Sequence, residues 1–299
     1  MATHTLGFDE DDSAGDFETM PLLIAALGVS VNLGDTVQIR YPKTEKYPFW
    51  QTGFGRITAD AFNIEVMYDD IWFAGNEWTV EFIAIRHDLG GNTITLKGIR
   101  TLGGTTPVFE NFSMTNGTVV LENWRVLGHK AAAYSIYGRA AVADLVCRNV
   151  EVVGSKGNNF RQATCSRCTS IGHSVRGFHS CAVDHCVSAG KASGDFYLSS
   201  SQTYCFSGDA TAGVANGCQN NLTFSDWKTL LTTNIRHPLS VAIAADSSLL
   251  GQGSTLDVNV PLDIYGQTRV VPDTPGVSIA VLMEPASGGG VFGMMGMIG

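Results

Sequence analysis

Residues 165–186, CSRCTSIGHSVRGFHSCAVDHC, set a Cys-x-x-Cys beside His173, His179, His185 and two further cysteines. Thiolate and imidazole are the ligands zinc prefers, so the residue types would suit a structural metal site. The spacing argues otherwise. A Cys-x₂-Cys followed by a Cys-x₄-Cys is only loosely ribbon-like, and the histidine spacing fits no finger. A disulfide framework fits no better. The seven cysteines are an odd number and all lie between 147 and 218, which suits reduced thiols in a chain made in the cytosol. No metal, cofactor or catalytic residue is therefore assigned.

Other chemistry is equally sparse. Polysaccharide lyases and hydrolases need paired carboxylates or a calcium cluster on an exposed strand face. The acids of the central region are Glu110, Glu122, Asp144, Glu151, Asp184, Asp195 and Asp209. Asp195 and Asp209 lie outside the repeated blocks and could converge, but turn acids held in solvent are the simpler reading. His173, His179 and His185 could supply a general base with Asp184, but beside turn glycines they read as exposed bend residues. Trp72, Trp78, Trp124 and Trp227 are expected to pack in the core or between subunits rather than stack on sugars. No nucleophile elbow, Walker loop or dinucleotide fingerprint is present.

The elements around these residues explain the cysteines. ITLKGIRTLG (94–103), VVLENWRVLG (119–128), LVCRNVEVVG (145–154), ATCSRCTSIG (163–172), CAVDHCVSAG (181–190) and SSSQTYCFSG (199–208) stack by their glycines, with starts 25, 26, 18, 18 and 18 residues apart. Such a period marks a solenoid. The third positions are Leu96, Leu121, Cys147, Cys165, Val183 and Ser201; the sixth are Ile99, Trp124, Val150, Cys168, Cys186 and Tyr204. Thr101, Val126, Val152, Ser170, Ser188 and Phe206 fill the eighth. Alternation, a two-residue bend and renewed alternation describe two strands turned around a corner. Cys147 then lies over Cys165, and Cys168 over Cys186, as interior ladders of small hydrophobes. The same frame puts Glu122 above Arg148, Ser166 and Asp184.

Composition agrees. Charged residues are 16% and glycines number 34, against roughly 25% charged in an average soluble protein, which favours strands and turns. A net charge of −9 argues against a nucleic-acid groove. The N-terminus lacks the apolar core of a signal peptide, and no stretch has the ~18 apolar residues of a membrane helix. Residues 1–18 read as an acidic, irregular lead-in. TMPLLIAALG reads as a short capping helix, with Thr19 as N-cap, Pro21 in the first turn and Gly28 at the end. Residues 91–210 form the regular solenoid. SVAIAADSSLLG and STLDVNV continue it as looser coils, and Pro261 to Met283 closes it.

The coil form of Val119 to Gly128 resembles the right-handed parallel β-helix superfamily. AGDFETMPLLIAAL is similar to the opening of β-helix proteins encoded by bacteriophages and prophages. LDIYGQTRVVPDTPGVSIAV resembles their closing pattern at Asp263, Gly266, Arg269, Pro272 and Asp273, and departs from it where Thr274 and Pro275 precede Gly276. The resemblance implies an all-β solenoid: a lead-in and capping helix over 1–30, a parallel β-helix over 31–285 and a C-terminal tail over 286–299. It implies a non-enzymatic component of a phage particle, a tail fibre or spike or a capsid-surface protein, with a glycan-degrading tailspike enzyme as the alternative. Expected partners are other virion proteins, further copies of the chain (a trimer fits) and a host surface glycan, without nucleic acid or a membrane span.

The tail, SGGGVFGMMGMIG, joins a glycine hinge to Val291, Phe292, Met294, Met295, Met297 and Ile298. Six large apolar residues without a core of their own imply a partner surface, so the tail is expected to anchor the chain in the particle.

Overall fold

The computed structural model describes residues 1–42, 49–74, 81–111, 116–130, 134–138, 144–190, 194–213, 216–233, 240–253 and 256–276. Three parallel sheets of nine, eight and seven strands run the length of a β-helix. Each regular coil contributes one strand to each sheet, as in Asp144–Arg148, Glu151–Val153 and Asn158–Arg161. The first sheet turns into the second through one residue with positive φ: Asn123 (54°), Asn149 (51°), Arg167 (52°) and His185 (50°). Asparagine adopts this left-handed conformation readily, whereas arginine and histidine hold it only when the surroundings fix them there.

In-register pairing carries the expected ladders. Glu122, Arg148, Ser166 and Asp184 are successive partners, and Cys147 pairs with Cys165 and Cys165 with Val183. All cysteines but the half-buried Cys218 are buried. Just past three of these corners, one side chain hydrogen-bonds back to the preceding coil. Trp124 Nε1 donates to the Leu96 carbonyl at 2.7 Å, Cys168 Sγ reaches that of Cys147 at 3.4 Å, and Cys186 Sγ reaches that of Cys165 at 3.6 Å. The buried thiols thus bond to backbone oxygen as well as filling space. Behind the third sheet, Phe160, Phe178 and Phe196 stack with ring centroids 4.8 and 5.1 Å apart, the spacing of strands in a sheet.

The last block departs from the glycine frame. Ala182 pairs with Ser200 but Asp184 pairs with Thr203, a one-residue bulge in which Ser201 has φ of 53°. Cys205 therefore takes the corner position above Cys186, Phe206 pairs with Val187, and Ser207 with Ser188. The expectation of Tyr204 in the sixth position and Phe206 in the eighth is one residue out, because the bulge lies upstream of the glycine used for alignment.

Both ends differ from expectation. The lead-in is not irregular: Thr3–Leu6 is the edge strand of the first sheet, parallel to Thr36–Ile39, with Leu6 turned into the core. Ala2 N–H donates to Asp35 at 2.6 Å and holds that edge. Helix α1, Met20–Ala26, caps the solenoid through buried Met20 and Leu23. Thr19 occupies the N-cap position without a side-chain cap bond, and Gly28 follows the helix with φ of 71°.

Beyond a parallel bridge of Gln219 with Phe206, the described residues after 210 add no further strand to the three sheets. Helix α2, Phe224–Leu230, opens on a Thr223–Asp226 capping box and leads to an antiparallel pair, Leu231–Thr233 with Val241–Ile243. The reason lies in the second sheet's outward column: Arg100, Arg125, Glu151, Thr169, Val187, Phe206. It turns apolar at its end, and Leu230, Ile243 and Leu249 cover Val187 and Phe206 in a second hydrophobic cluster. No helix among the described residues is long and apolar enough to cross a membrane.

The phenylalanine stack gives a direct test. Phe178→Ala removes the middle ring and should cost about 3–5 kcal/mol, read from denaturant unfolding. Loss of under 1 kcal/mol would mean that the stack carries little of the stability.

Candidate functional site

Asp195 and Asp209 do converge, Asp195 buried within the solenoid and Asp209 half-buried beside it. The inward serines Ser170, Ser188 and Ser207 follow one another in register. Asp195 accepts from Ser188 at 3.2 Å, Ser207 at 3.1 Å and Gly208 N–H at 2.7 Å. Ser207 also donates to Asp209 at 2.7 Å. On the other side, Ser170 Oγ lies 3.3 Å from His173 Nδ1 and accepts from Asn159 at 2.8 Å. His173 Nε2 is 3.0 Å from Asp195 Oδ1 but makes no hydrogen bond to it. Gly177 and Gly190 permit the crowding. A Cβ at Gly177 would fall 2.1 Å from Ser188 Oγ, and one at Gly190 would fall 2.2 Å from His173 Nε2.

The order serine, histidine, aspartate is that of a nucleophilic triad, but the setting is not. Ser170 and His173 are wholly buried and Asp195 is 1% exposed, so the hydroxyl is not presented to solvent as a triad nucleophile is. Burial pushes the Asp209 carboxyl up, but hydrogen bonds from Thr211, Gly194 N–H, Ser207 and Asp195 N–H outweigh it and hold it at about 2. Asp209 is thus ionised at neutral pH and cannot serve there as a general acid. Except at His173 Nε2, the cluster satisfies polar groups that would otherwise be stranded in the core.

A second cluster lies along the corners. Asp273 bonds Arg167 Nε at 2.9 Å and Arg269 at 3.1 Å. Arg269 also bonds the Asn149 side chain and the carbonyls of Thr274 and Gly276 at 2.8–3.0 Å. The Leu262 carbonyl accepts from Asn149 at 2.7 Å, and Gly276 N–H donates to the His185 carbonyl at 2.7 Å. Asp263 folds the preceding turn by accepting from the N–H groups of Tyr265 and Gln267. The closing segment is thus strapped across three successive corners. A third contact anchors the antiparallel pair: buried Glu151 accepts from Ser240 Oγ and from Val241 N–H at 2.9 Å, with Arg125 3.9 Å away.

These contacts correct the reading of the histidines. His173 and His185 are fully buried; only His179 is partly exposed, on the third sheet. Trp124 and Trp72 are buried and Trp227 packs against the second hydrophobic cluster; Trp78 lies outside the described residues. So do Val291, Phe292, Met294, Met295, Met297 and Ile298. Among the described residues no group of three or more His, Cys, Asp and Glu side chains is arranged to hold a metal ion.

The third sheet presents a different surface. Tyr137, Arg161, His179 and Tyr197 form one outward column. The Arg161 guanidinium lies 4.8 Å from the Tyr134 ring centre and 5.0 Å from that of Tyr137; that of Arg176 lies 3.6 Å above Tyr197. Among the described residues neither arginine is paired with a carboxylate. The sequence signal was the outward position of each third-sheet strand, which the glycine-framed blocks leave out.

Comparison with family models, curated proteins and solved structures finds no match.

Two outcomes are expected. Asp273→Ala leaves two buried arginines without their shared carboxylate and should cost about 3–5 kcal/mol. Asp184→Ala, which removes a half-exposed partner of Arg167, should cost under about 1 kcal/mol. Equal losses in denaturant unfolding would refute the strap. Because the folded carboxyl of Asp209 titrates below its unfolded value, its contribution is present above about pH 4 and is lost as pH falls towards 2. Asp209→Asn should flatten that part of the stability–pH curve.

Proposed function

We propose that this chain is a non-enzymatic structural component of a bacteriophage particle, made in the host cytoplasm and carried on a tail fibre or spike or on the capsid surface. One observation carries the reading. Asp263, Arg269 and Asp273, through which the sequence resembles the closing pattern of phage β-helix proteins, make the strap that closes the solenoid. That role in closing the solenoid supports reading the matched residues as a closing motif. The enclosed polar cluster supports a structural role over the tailspike-enzyme alternative.

The arginine–tyrosine face favours attachment to the host as the accompanying role. Tyr197 is 38% exposed, and among the described residues no carboxylate pairs with Arg161 or Arg176, on a chain of net charge −9. A sugar ring could stack on the tyrosine while an acidic substituent meets a guanidinium. A few cations over three rungs suit a sparsely charged glycan better than nucleic acid, whose affinity comes from many phosphate contacts.

Immunogold labelling of released particles should place the chain at one discrete site, and its absence from purified particles would sink the reading. Incubation with acidic capsule should leave no new reducing ends; appearance of such ends would favour the depolymerase. The paired change Arg161→Ala and Arg176→Ala should weaken retention on immobilised acidic polysaccharide by at least about tenfold, the effect of losing roughly 1.4 kcal/mol. Deleting 287–299 should leave a folded solenoid that no longer enters particles.

A further inference from the structure

Cys205 and Cys218 stand apart from the other thiols. Phe206 and Gln219 form a parallel bridge, with Gln219 N–H donating to the Cys205 carbonyl and Ser207 N–H to that of Gln219, both at 3.0 Å. Their preceding residues, Cys205 and Cys218, therefore face each other with Cα atoms about 4.8 Å apart, the strand spacing. A disulfide spans roughly 4.4–6.8 Å between Cα atoms. Cys205 N–H donates to Cys218 Sγ at 3.3 Å, which holds the Cys218 sulfur against the Cys205 backbone.

Access differs between them as a two-step exchange requires. Cys205 is fully buried at the end of the interior thiol column, whereas Cys218 is the one cysteine of the seven that is not buried. Cys147 and Cys165 also face each other across a parallel pair, but both are enclosed. Gly217, with φ of 74°, brings the chain to Cys218 over the Tyr204 ring, which a Cβ would approach to 2.3 Å.

We propose that Cys205 and Cys218 are an oxidative cross-linking site that staples the returning segment to the last coil of the solenoid. The co-reactant is a small-molecule disulfide such as oxidised glutathione. Cys218, after losing its proton to solvent, attacks one glutathione sulfur, forming a mixed disulfide and releasing one glutathione thiolate. Cys205, deprotonated in turn, attacks the Cys218 sulfur, forming the protein disulfide and releasing the second thiolate. Two protein thiols are oxidised and one glutathione disulfide is reduced. A reducing cytosol keeps the pair open, and an oxidising exterior closes it. The inference stands on this geometry and is independent of the virion reading.

The pair also has a kinetic signature. The Cys218 thiol is pushed well up by its hydrogen bond with Cys205 and then by burial, and burial pushes Cys205 up. Because the thiolate is the nucleophile, the exchange rate should still climb about tenfold per pH unit beyond ~8.5, where an ordinary cysteine levels off.

The test uses the purified full-length chain and oxidised glutathione at about pH 9, with alkylation and peptide mapping under non-reducing conditions. The expected product has lost two hydrogens, carries a Cys205–Cys218 linked peptide, and leaves the other five cysteines unreacted until unfolding. Its Tm should rise by about 5–10 °C and return on addition of dithiothreitol. Cys205→Ser should stop at a glutathione adduct on Cys218. A wild-type chain that keeps that adduct, links another pair, or stays unmodified while the unfolded chain reacts would overturn the proposal.

Discussion

Every coil must place each residue about one strand spacing from a residue of the next coil, and the rest of the molecule depends on that in-register stacking. A side chain here has to suit the one above and the one below as well as its own face of the sheet. The stacked rings of Phe160, Phe178 and Phe196 satisfy this with identical residues. The corner thiols satisfy it by bonding to the carbonyl of the preceding coil. A metal reading of the cysteines fails for the same reason: side chains committed to successive rungs run along the axis instead of meeting at one centre.

Stacking also creates a problem at the corners, and the strap meets it. Asparagine suits the left-handed corner, but Arg167 and His185 occupy it in the later coils. The closing segment packs over these positions, so the Arg167 guanidinium, 1% exposed, needs an internal counterion. Asp273 supplies it and is shared with Arg269, whose two terminal nitrogens also meet Asn149 and backbone carbonyls. Desolvating three charged groups is costly, and a network of this kind contributes little net stability over an apolar cover. What it adds is placement, because these hydrogen bonds are met only when the segment lies in one register across the corners.

The two polar groupings of the solenoid have opposite relations to solvent. Ser170, His173 and Asp195 have the residue types of a catalytic triad and are sealed inside. Arg161, Arg176 and Tyr197 have no catalytic pattern and face outward. Fold alone does not choose a function; accessibility separates the groups that complete a core from those able to meet a ligand.

Residue spacing alone determined the solenoid, the cysteine ladders, the column from Glu122 to Asp184 and the capping helix, because a repeated alternation shows in any stretch long enough to repeat. Local signals missed by the glycine frame, such as the alternation of Thr3 to Leu6 and the bulge at Ser201, were present but lay outside it. The burial of His173 and His185, the meeting of Asp195 with Asp209, and the strap were decided by the tertiary structure. Each joins residues brought together by the winding of the coils or by the return of a distant segment: Asn149 meets Arg269 across 120 residues. Periodicity specifies what lies above and below a residue, but not which segment later covers it. Only packing brings those groups close enough to bond.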